Sequence, residues 1–287
     1  MSGILYLVAT PIGNLSDFSP RGMETLRQVD FIAAEDTRVT RKLLTHFEIK
    51  KPLLSYFAHN RRESGARIAE RLLAGESCAL VSDAGMPGIS DPGEELVRLC
   101  AEQGIEVICI PGPSAFVTAL ALSGLPTGRF TFEGFLSTAA KSRRIHLAAL
   151  KGEGRTMIFY EAPHKLPYTL CDMLEAWGDR RIALCRELTK RFEETIRTTL
   201  SQAAARYAEE KPRGEFVLVI EGAPPPDETA EESKLEEALL RLRELTEAGI
   251  SRKDAARRVA EETGIAKNVL YAEGLRERGT EELWPNN

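Results

Sequence analysis

Short apolar runs alternate with amphipathic segments through the first 124 residues of the chain. Four of the runs have the length of buried strands: Ile4–Ala9, Phe31–Ala34, Cys78–Val81 and Val107–Ile110. The segments between them place apolar residues three and four positions apart, which is the spacing of a helix with one buried face. These helical segments are Pro20–Val29, Val39–Phe47, Arg61–Leu73 and Glu94–Glu102. Strands that alternate with helices predict βαβ units around a largely parallel sheet.

The pattern changes from Phe130 onward, where strands rich in threonine mix with further helices. The predicted strands are Phe130–Phe135, Thr156–Tyr160, Ile182–Cys185, Thr195–Thr199 and Phe216–Ile220. The predicted helices are Lys141–Leu150, Leu166–Trp177 and Gln202–Glu210. We therefore expect a second unit of strands and helices with a mixed sheet, which begins after the turn at Gly124-Leu125-Pro126.

The C-terminal part differs from both units. Ala223–Ser233 combines three consecutive prolines with acidic residues, a composition typical of an extended linker. Residues 234–282 have helical patterns, divided by Gly249 and Gly264, with Ser251 as an N-cap. In the N-terminal unit, Thr37 is the expected N-cap of the helix at Val39–Phe47. The expected organisation is an N-terminal α/β domain at 1–124, a second α/β domain at 125–222, a linker at 223–233 and a helical, helix-turn-helix-like domain at 234–287.

Composition and charge narrow the class of protein. Of the 287 residues 43% are hydrophobic and 28% are charged, as in a folded domain, and the net charge of −5 gives no global positive field for nucleic acid. Five cysteines without a C-x-x-C pair and four scattered histidines predict no metal site and favour reduced thiols in a cytoplasmic protein. The N-terminus has no signal-peptide pattern, and no apolar stretch is long enough to span a membrane.

Three loops that follow predicted strands are rich in glycine and proline. They are Thr10–Asn14, Ser82–Gly93 and Pro111–Ala115. The carboxyl ends of parallel strands meet at one edge of a sheet, and glycine lets a ligand approach the backbone closely. The helix that starts near Ser114 would add free N–H groups. Neither G-x-G-x-x-G after the first strand nor a P-loop motif is present, which argues against a conventional dinucleotide or P-loop site.

Several strings resemble the tetrapyrrole-methylase superfamily over residues 3 to about 222. They are Val8–Leu15, Ala34–Arg38, Val81–Gly93, Ile110–Ala115, Phe159–His164, Glu187–Lys190 and Gly214–Phe216. The porphyrin-modifying members have a glycine-rich first loop and a Gly-Gly-Asp-Pro string in the central loop. This chain has Thr10-Pro11-Ile12-Gly13 and Ala84-Gly85-Met86-Pro87 instead, which favours the RNA-modifying branch.

The resemblance implies a fold, a reaction and a cofactor site. It implies two α/β domains with S-adenosylmethionine (SAM) in the cleft between them, usually in a homodimer. It also implies methylation of the ribose 2′-oxygen of a cytidine in the decoding region of 16S ribosomal RNA. Carried over position by position, the cofactor contacts are Pro11, Ala84, Gly85, Met86, Ile89, Ser114, Ala115, Tyr160, Glu161, Leu188, Gly214 and Glu215.

A ribose hydroxyl is a weak nucleophile, so we expect a carboxylate that accepts its proton. The carboxylates at strand ends that we favour are Asp83, Glu35 and Asp36, with Asp83 as the first choice. Asp36 and Thr37 are equally well explained as helix caps, and Asp83 as a turn residue.

RNA binding by an acidic protein requires a local basic cluster. The candidate phosphate contacts are Lys141, Arg143, Arg144, Lys190 and Arg191, and a solvated helix face is the alternative interpretation of these residues. The partner would be the small-subunit ribosomal RNA or the assembled subunit. Two other functions stay open: a methyltransferase of tetrapyrroles or other small molecules, and a non-catalytic RNA-binding factor for ribosome assembly.

Overall fold

The computed structural model describes residues 2–225 and 228–272, with residues 228–232 as backbone only. The chain divides into two compact units, Met1–Ala223 and Pro224–Asn287. The first unit contains two five-stranded sheets, and the second contains helices. Together these features confirm the predicted α/β class with additional C-terminal helices.

The first sheet is entirely parallel, as predicted. Its strands are β1 (Ile4–Val8), β2 (Phe31–Ala34), β3 (Leu53–Ser55), β4 (Cys78–Val81) and β5 (Glu106–Ile110), in the order β3-β2-β4-β1-β5. Its helices are α1 (Pro20–Gln28), α2 (Thr37–His46), α3 (Arg61–Leu73) and α4 (Glu94–Glu102). The neighbouring strands β4, β1 and β5 are those that the three glycine- and proline-rich loops follow. The topology therefore brings these loops to one edge of the sheet.

Apolar layers cover both faces of this sheet. On one face Phe18 and Leu26 of the α1 region and Leu44 of α2 pack on β2 and β4. On the other face α3 and α4 contribute Ile68 and Leu96, which are fully or almost fully buried. The sheet thus carries α1 and α2 on one side and α3 and α4 on the other, in the layered arrangement of α/β domains.

The N-cap of α2 differs from the prediction. Asp36 is the N-cap residue, and its carboxylate accepts a hydrogen bond from the Arg38 backbone N–H at 2.8 Å. Thr37 is already the first helical residue, so the prediction of Thr37 as the cap was wrong. Aspartate is among the best N-cap residues because its carboxylate accepts from N–H groups that have no partner in the helix.

The second sheet is mixed, also as predicted. Its strands are β6 (Phe130–Phe135), β7 (Thr156–Glu161), β8 (Arg181–Arg186), β9 (Glu194–Thr199) and β10 (Phe216–Ile220), in the order β6-β7-β10-β8-β9. Only β6 and β7 pair in parallel. One face packs against α6 (Ala140–Ala149), α7 (Leu166–Trp177) and α8 (Leu200–Glu209).

The helix α5 (Ala115–Ser123) connects the two sheets. Its buried residues Ala119 and Leu120 belong to a core cluster with Ile158, Ala183 and Val219 of the second sheet. The helix therefore covers the second sheet, although the predicted boundary at residue 124 assigned it to the first domain. An apolar helix with no polar face gives no sequence signal for which of two sheets it covers.

The second compact unit is helical. Its helices are α9 (Glu228–Glu247) and α10 (Arg252–Thr263), and residues 267–272 are helical as well. Buried Ala238, Leu242, Val259 and Leu270 form its core. Ser251 caps α10 as predicted. α9 already begins at Glu228, so the last six residues of the predicted linker are helical instead.

None of the helices in the described parts of the chain is both long and apolar enough to cross a membrane.

Candidate functional site

A cavity of about 530 Å³ lies in the first compact unit, with walls from both sheets. The first sheet supplies the loops after β1, β4 and β5, and the second sheet supplies the ends of β7, β8 and β10. Its lining residues are Ile12, Glu35, Asp83, Ala84, Gly85, Met86, Ile89, Ser90, Asp91, Ser114, Ala115, Phe135, Tyr160, Glu161, Ala162, Pro163, Cys185, Leu188, Lys190, Glu215, Phe216 and Val217. A cavity of this size is typical of a small-molecule or cofactor site.

The loops after β1 and β4 are joined by backbone hydrogen bonds. Thr10 and Gly85 exchange two N–H···O bonds of 2.9 and 3.1 Å, and the Thr10 hydroxyl donates to the Ser82 carbonyl at 3.1 Å. Gly85 has a φ of +86°, a left-handed conformation that residues with a Cβ rarely adopt. The sequence thus places glycine where the backbone itself forms the wall of the cavity.

The third loop presents the start of α5 to the cavity. Ser114 is the N-cap of α5 without a side-chain capping bond, and both Ser114 and Ala115 line the cavity. N–H groups in the first turn of a helix have no partner within the helix and can receive a polar ligand atom. Tyr160 of the second sheet lines the same cavity, and its hydroxyl lies near the Phe116 backbone at the start of α5.

The loop after β8 closes the cavity from the second sheet. Leu188 lines the cavity and is almost fully buried, and its neighbours Glu187 and Thr189 both have positive φ, at 51° and 63°. Non-glycine residues in this region store strain and occur most often at functional sites. An ideal Cβ on Gly13 would lie 2.5 Å from the Lys190 Cγ and 2.8 Å from the Thr189 Oγ1. Glycine is therefore required for this close approach of the two loops.

Most of the predicted cofactor contacts come together in this cavity. Ten of the twelve line it, namely Ala84, Gly85, Met86, Ile89, Ser114, Ala115, Tyr160, Glu161, Leu188 and Glu215. Pro11 lines a smaller neighbouring cavity instead. Gly214 lies directly against the Glu187 side chain, where a Cβ would come within 2.5 Å of Cγ.

Glu161 has a structural role at the cavity, because neighbouring groups of the protein already bind its carboxylate. Its carboxylate is buried and accepts from the Lys165 Nζ at 2.8 Å, from the Thr169 hydroxyl at 2.6 Å and from the Ala162 backbone N–H at 2.8 Å. Such a fully satisfied carboxylate fixes the end of β7 and the start of α7.

A group of carboxylates lies at the first-sheet side of the cavity. Burial is the largest cause that raises the pKa of Glu35 and of Asp83. Like-charge repulsion from Asp83 raises the pKa of Glu35 further, and repulsion from Asp36 does the same for Asp83. Burial and the neighbouring Glu35 raise the pKa of Asp91 to about 7. Carboxyl groups with raised pKa values can accept a proton effectively near neutral pH.

Asp36 has different surroundings from these three. Its carboxylate binds the Arg38 guanidinium at 2.6 Å, which lowers the pKa of Asp36 to about 2. It also caps α2, and its backbone N–H donates to the Asp83 Oδ1 at 3.1 Å. Asp36 does not line the cavity, so the structure supports its interpretation as a cap over that as a proton acceptor.

Asp91 is the candidate functional residue that the sequence analysis did not select. Asp91 lies within the predicted loop Ser82–Gly93, so the sequence places it near the site. The sequence does not show how close Asp91 comes to the other carboxylates. A polar residue beside Pro92-Gly93 looks like an ordinary turn residue. Only the fold shows that the loop turns back and exposes Asp91 to the same cavity as Glu35 and Asp83.

The predicted RNA contacts divide into two groups. Arg143 is 5% exposed, and its guanidinium binds the buried Asp172 at 2.7 Å, so the prediction that Arg143 contacts a phosphate was wrong. Its spacing on α6 did not reveal that it points into the core between α6 and α7. Arg144 also binds Asp172, at 3.0 Å, and Lys190 binds the Glu187 and Glu215 carboxylates at 2.9 and 2.7 Å.

Lys141 and Arg191 are exposed, so their assignment as phosphate contacts stays a prediction.

The five cysteines are free thiols, of which Cys78, Cys100 and Cys185 are buried. Across residues 2–225 and 228–272, no group of three or more His, Cys, Asp and Glu side chains is placed to hold a metal ion.

Comparison with known proteins agrees with this geometry. The chain matches the family of Tetrapyrrole (Corrin/Porphyrin) Methylases over residues 4–204. It is 53% identical to the Ribosomal RNA small subunit methyltransferase I of Synechocystis sp., over 94% of this chain and 96% of that protein. The protein of the same name from Pseudomonas aeruginosa is 47% identical over 97% of this chain and 99% of its own length.

Solved structures share the fold at low sequence identity. The cobalamin biosynthetic enzyme cobalt precorrin-4 methyltransferase superposes with a TM-score of 0.57 at 16% identity, covering 76% of this chain and 94% of that one. Diphthine synthase superposes with a TM-score of 0.58 at 15% identity, covering 77% and 90%. The two sheets, the cavity between them and the identity to curated relatives lead to one assignment: this chain belongs to the tetrapyrrole methylase family, within its group of ribosomal RNA small subunit methyltransferases I.

Proposed function

We propose that this protein is a SAM-dependent methyltransferase that methylates the ribose 2′-hydroxyl of a cytidine in the decoding region of 16S ribosomal RNA. The observation that carries the proposal is the cavity itself. Glycine-containing loops, which expose their backbone, and the carboxylates Glu35, Asp83 and Asp91 line this cavity. The chain is also about half identical to proteins named Ribosomal RNA small subunit methyltransferase I.

The residues of the cavity fit SAM by size and by chemistry. Its volume of about 530 Å³ is in the range of cofactor sites. Gly85 leaves room for a ligand against the backbone, and the start of α5 at Ser114 offers N–H groups to polar atoms. Ile12, Met86 and Leu188 supply apolar surface. The twelve residues predicted from the family resemblance are proposed as the cofactor contacts, with Pro11 and Gly214 acting outside the main cavity.

SAM, when bound, supplies a methyl group on a positively charged sulfur. The task of the protein is then to orient the ribose hydroxyl toward that methyl group and to accept its proton. We assign the proton to a carboxylate oxygen of the group Glu35, Asp83 and Asp91. These three line the cavity, whereas Asp36 is held by Arg38.

The same carboxylates also suit the positive charge of the cofactor. A carboxylate group in a partly buried cavity attracts a cationic ligand more strongly than it would in water, because the local dielectric constant is lower. Binding of the cation in turn favours the ionised form of each carboxyl group, which is the form that accepts a proton. One group of side chains thus serves both binding and proton transfer.

The proposed partner is the small-subunit ribosomal RNA or the assembled small subunit, and the proposed location is the cytoplasm. The free thiols of all five cysteines support a reducing compartment.

The family resemblance further supports a homodimer, which sedimentation equilibrium at several protein concentrations tests directly. A mass equal to that of the monomer at every protein concentration would contradict the dimer.

Methyl transfer tests the proposed function. Small ribosomal subunits from a strain that lacks the protein are incubated with tritium-labelled SAM and either the wild type or Gly85→Val. We expect label in the RNA only with the wild type, because a branched side chain at Gly85 requires both a strained φ and space in the cavity. Calorimetric titration with SAM, together with a thermal melt, shows whether Gly85→Val is folded and fails to bind. A wild type that binds subunits but not SAM would favour a non-catalytic assembly factor.

A further inference from the structure

A second, smaller cavity of about 240 Å³ opens between the loop after β1 and the helix α2. It shares Asp83 with the main cavity, so the two openings are adjacent. Its apolar lining includes Leu15 and Val39, each 39% exposed, together with Leu43. Apolar side chains that remain accessible together in one cavity offer a surface on which another molecule can pack.

The polar lining of this second cavity comes from α2 on one side and from Thr10, Ser82 and Asp83 on the other. Thr40, Lys42 and His46 line it, and Lys42 and His46 are exposed. The helix contains Arg38, Arg41, Lys42 and His46 but no acidic residue. Within the described residues Lys42 has no ion-pair partner, in contrast to Lys190 and Arg144 of the earlier prediction.

A buried hydroxyl without a hydrogen-bond partner lies beside this cavity. Thr40 is 2% exposed and lines the cavity, and its Oγ1 has no hydrogen-bond partner among the described protein atoms. Buried hydroxyl groups are normally hydrogen-bonded, because leaving one unpaired costs free energy. A ligand that displaces this side chain slightly and places a donor or acceptor at its Oγ1 would remove that cost.

We propose that this second cavity binds a nucleotide of the RNA substrate next to the methylated one. An unpaired base would pack on Leu15 and Val39, with a polar group of the nucleotide at Thr40 and its phosphate at Lys42 and His46. Proteins recognise single-stranded RNA in this way, through unstacked bases on apolar side chains and cations on the backbone. The inference rests on the proposed function and adds to it the surface that holds the RNA.

The position of the cavity fits this role. The target ribose must enter the main cavity beside Asp83, and consecutive nucleotides are covalently linked. A neighbouring nucleotide therefore has to lie close to that entrance. α2 supplies Lys42 and His46 there and contains no acidic residue itself, and Asp83 is the one carboxylate among the described residues of the lining. This local basic character reconciles RNA binding with a net charge of −5.

Three variants test the proposal, two of them with matched controls. Lys42→Ala removes a cation, and Arg67→Ala removes an exposed cation from α3 on the opposite face of the sheet. Val39→Asp places a charge in the apolar lining, and Leu73→Asp does the same at an exposed apolar residue of α3. Thr40→Val removes only the unpaired hydroxyl.

The measurement is binding of each variant to unmethylated small subunits at several salt concentrations. For Lys42→Ala we expect the slope of log affinity against log salt to fall by about 0.7, as for one lost contact to a single strand. For Val39→Asp we expect affinity to fall at least about fivefold. Thr40→Val should bind RNA more weakly while its melting temperature stays equal or rises. The controls and the SAM affinity of all variants should match the wild type.

Four results would overturn the proposal. Unchanged affinity and salt slope in Lys42→Ala and Val39→Asp, while the wild type methylates RNA, would refute this surface and leave the proposed function intact. An equal loss of SAM affinity would extend the cofactor site, which Pro11 already borders, through this cavity and would refute a separate RNA surface. Ultraviolet cross-links from residues 39–46 to a ribosomal protein instead of RNA would assign the surface to a protein partner. A wild type without RNA methylation would refute the proposed function itself.

Discussion

The backbone N–H of Asn14 donates a hydrogen bond of 3.0 Å to the Thr189 Oγ1, across the cavity edge and between residues 175 positions apart in the chain. Asn14 belongs to the loop after β1, and Thr189 to the strained loop after β8. This bond and the close approach of Gly13 connect the loops of the two sheets at the site. The width of the proposed cofactor cavity therefore depends on how tightly these two loops pack.

The variant Gly13→Ala tests that dependence. The added Cβ would overlap Lys190 Cγ and Thr189 Oγ1, so the loops must separate and Ile12 must move with them. We expect SAM affinity to fall on the order of tenfold, about 1.4 kcal/mol. The control is Gly128→Ala, because a Cβ on Gly128 meets no atom within 4 Å. Equal SAM affinity of the two variants by calorimetry would show that loop packing does not set the cavity.

The variant Arg143→Ala separates stability from RNA binding. It leaves the buried Asp172 without its main partner, and it frees the carbonyls of Ser137 and Thr138. Removing one member of a buried ion pair costs about 3–5 kcal/mol, and we expect the lower end because Arg144 still contacts Asp172. Urea unfolding measures the loss. Lys141→Ala, an exposed neighbour on the same helix, should leave the unfolding free energy unchanged.

RNA binding by folded Arg143→Ala should equal that of the wild type when measured below its unfolding transition. If the folded variant shows a smaller slope of log RNA affinity against log salt than the wild type, Arg143 does contact a phosphate despite its burial.

The variant Asp91→Asn tests the assignment of the proton acceptor. Asp91 has a pKa of about 7, because burial and Glu35 disfavour its charge, so its ionised fraction increases between about pH 6 and pH 8. We expect the wild-type rate of methyl transfer at limiting SAM, which reports the pKa values of the free enzyme, to rise with pH through this range and then level off. Asp91→Asn should lose the rise along with most of the rate. A variant with the wild-type profile would transfer the role to Glu35 or Asp83.

The same group predicts a pH dependence of stability. The folded-state pKa of Asp91 lies above the value of 3.8 expected for the unfolded chain, so the folded protein retains this proton over the range between them. The stability that the proton contributes is present below about pH 4 and is lost as the pH rises through about 7. In the absence of SAM, Asp91→Asn should therefore melt at a higher temperature than the wild type at pH 8. The difference should shrink toward pH 4, and a constant or opposite difference would contradict the raised pKa.

Local patterns in the sequence were sufficient to predict most of the fold. The apolar runs Phe31–Ala34 and Cys78–Val81 are strands with the predicted bounds, and their order with the helices determined a parallel sheet. The three-residue strand β3 was missed, because Leu53–Ser55 is too short and too little buried to produce a periodic signal. The packing of α5 on the second sheet was also missed, since it depends on long-range contacts.

The candidate site was predictable in its loops but not in its distances. Gly85 and Ser114 could be selected because glycine density and a helix start have local signatures. Asp91 and Arg143 could not be assigned, because their environments are set by residues far away in the chain. Asp91 lies near Glu35, and Arg143 binds Asp172, 29 positions away. Burial and electrostatic coupling of this kind arise only when the fold is complete.

Nucleoside mapping of the reaction product shows directly whether this protein methylates the ribose of a cytidine in 16S RNA. Small subunits from a strain that lacks the protein are methylated in vitro with the wild type and SAM, and the 16S RNA is digested and analysed by mass spectrometry. The account predicts one new 2′-O-methylcytidine, located in the decoding region and absent with Gly85→Val. A methyl group on a base, a methylated nucleotide elsewhere in the RNA, or transfer to a tetrapyrrole and not to RNA would contradict it.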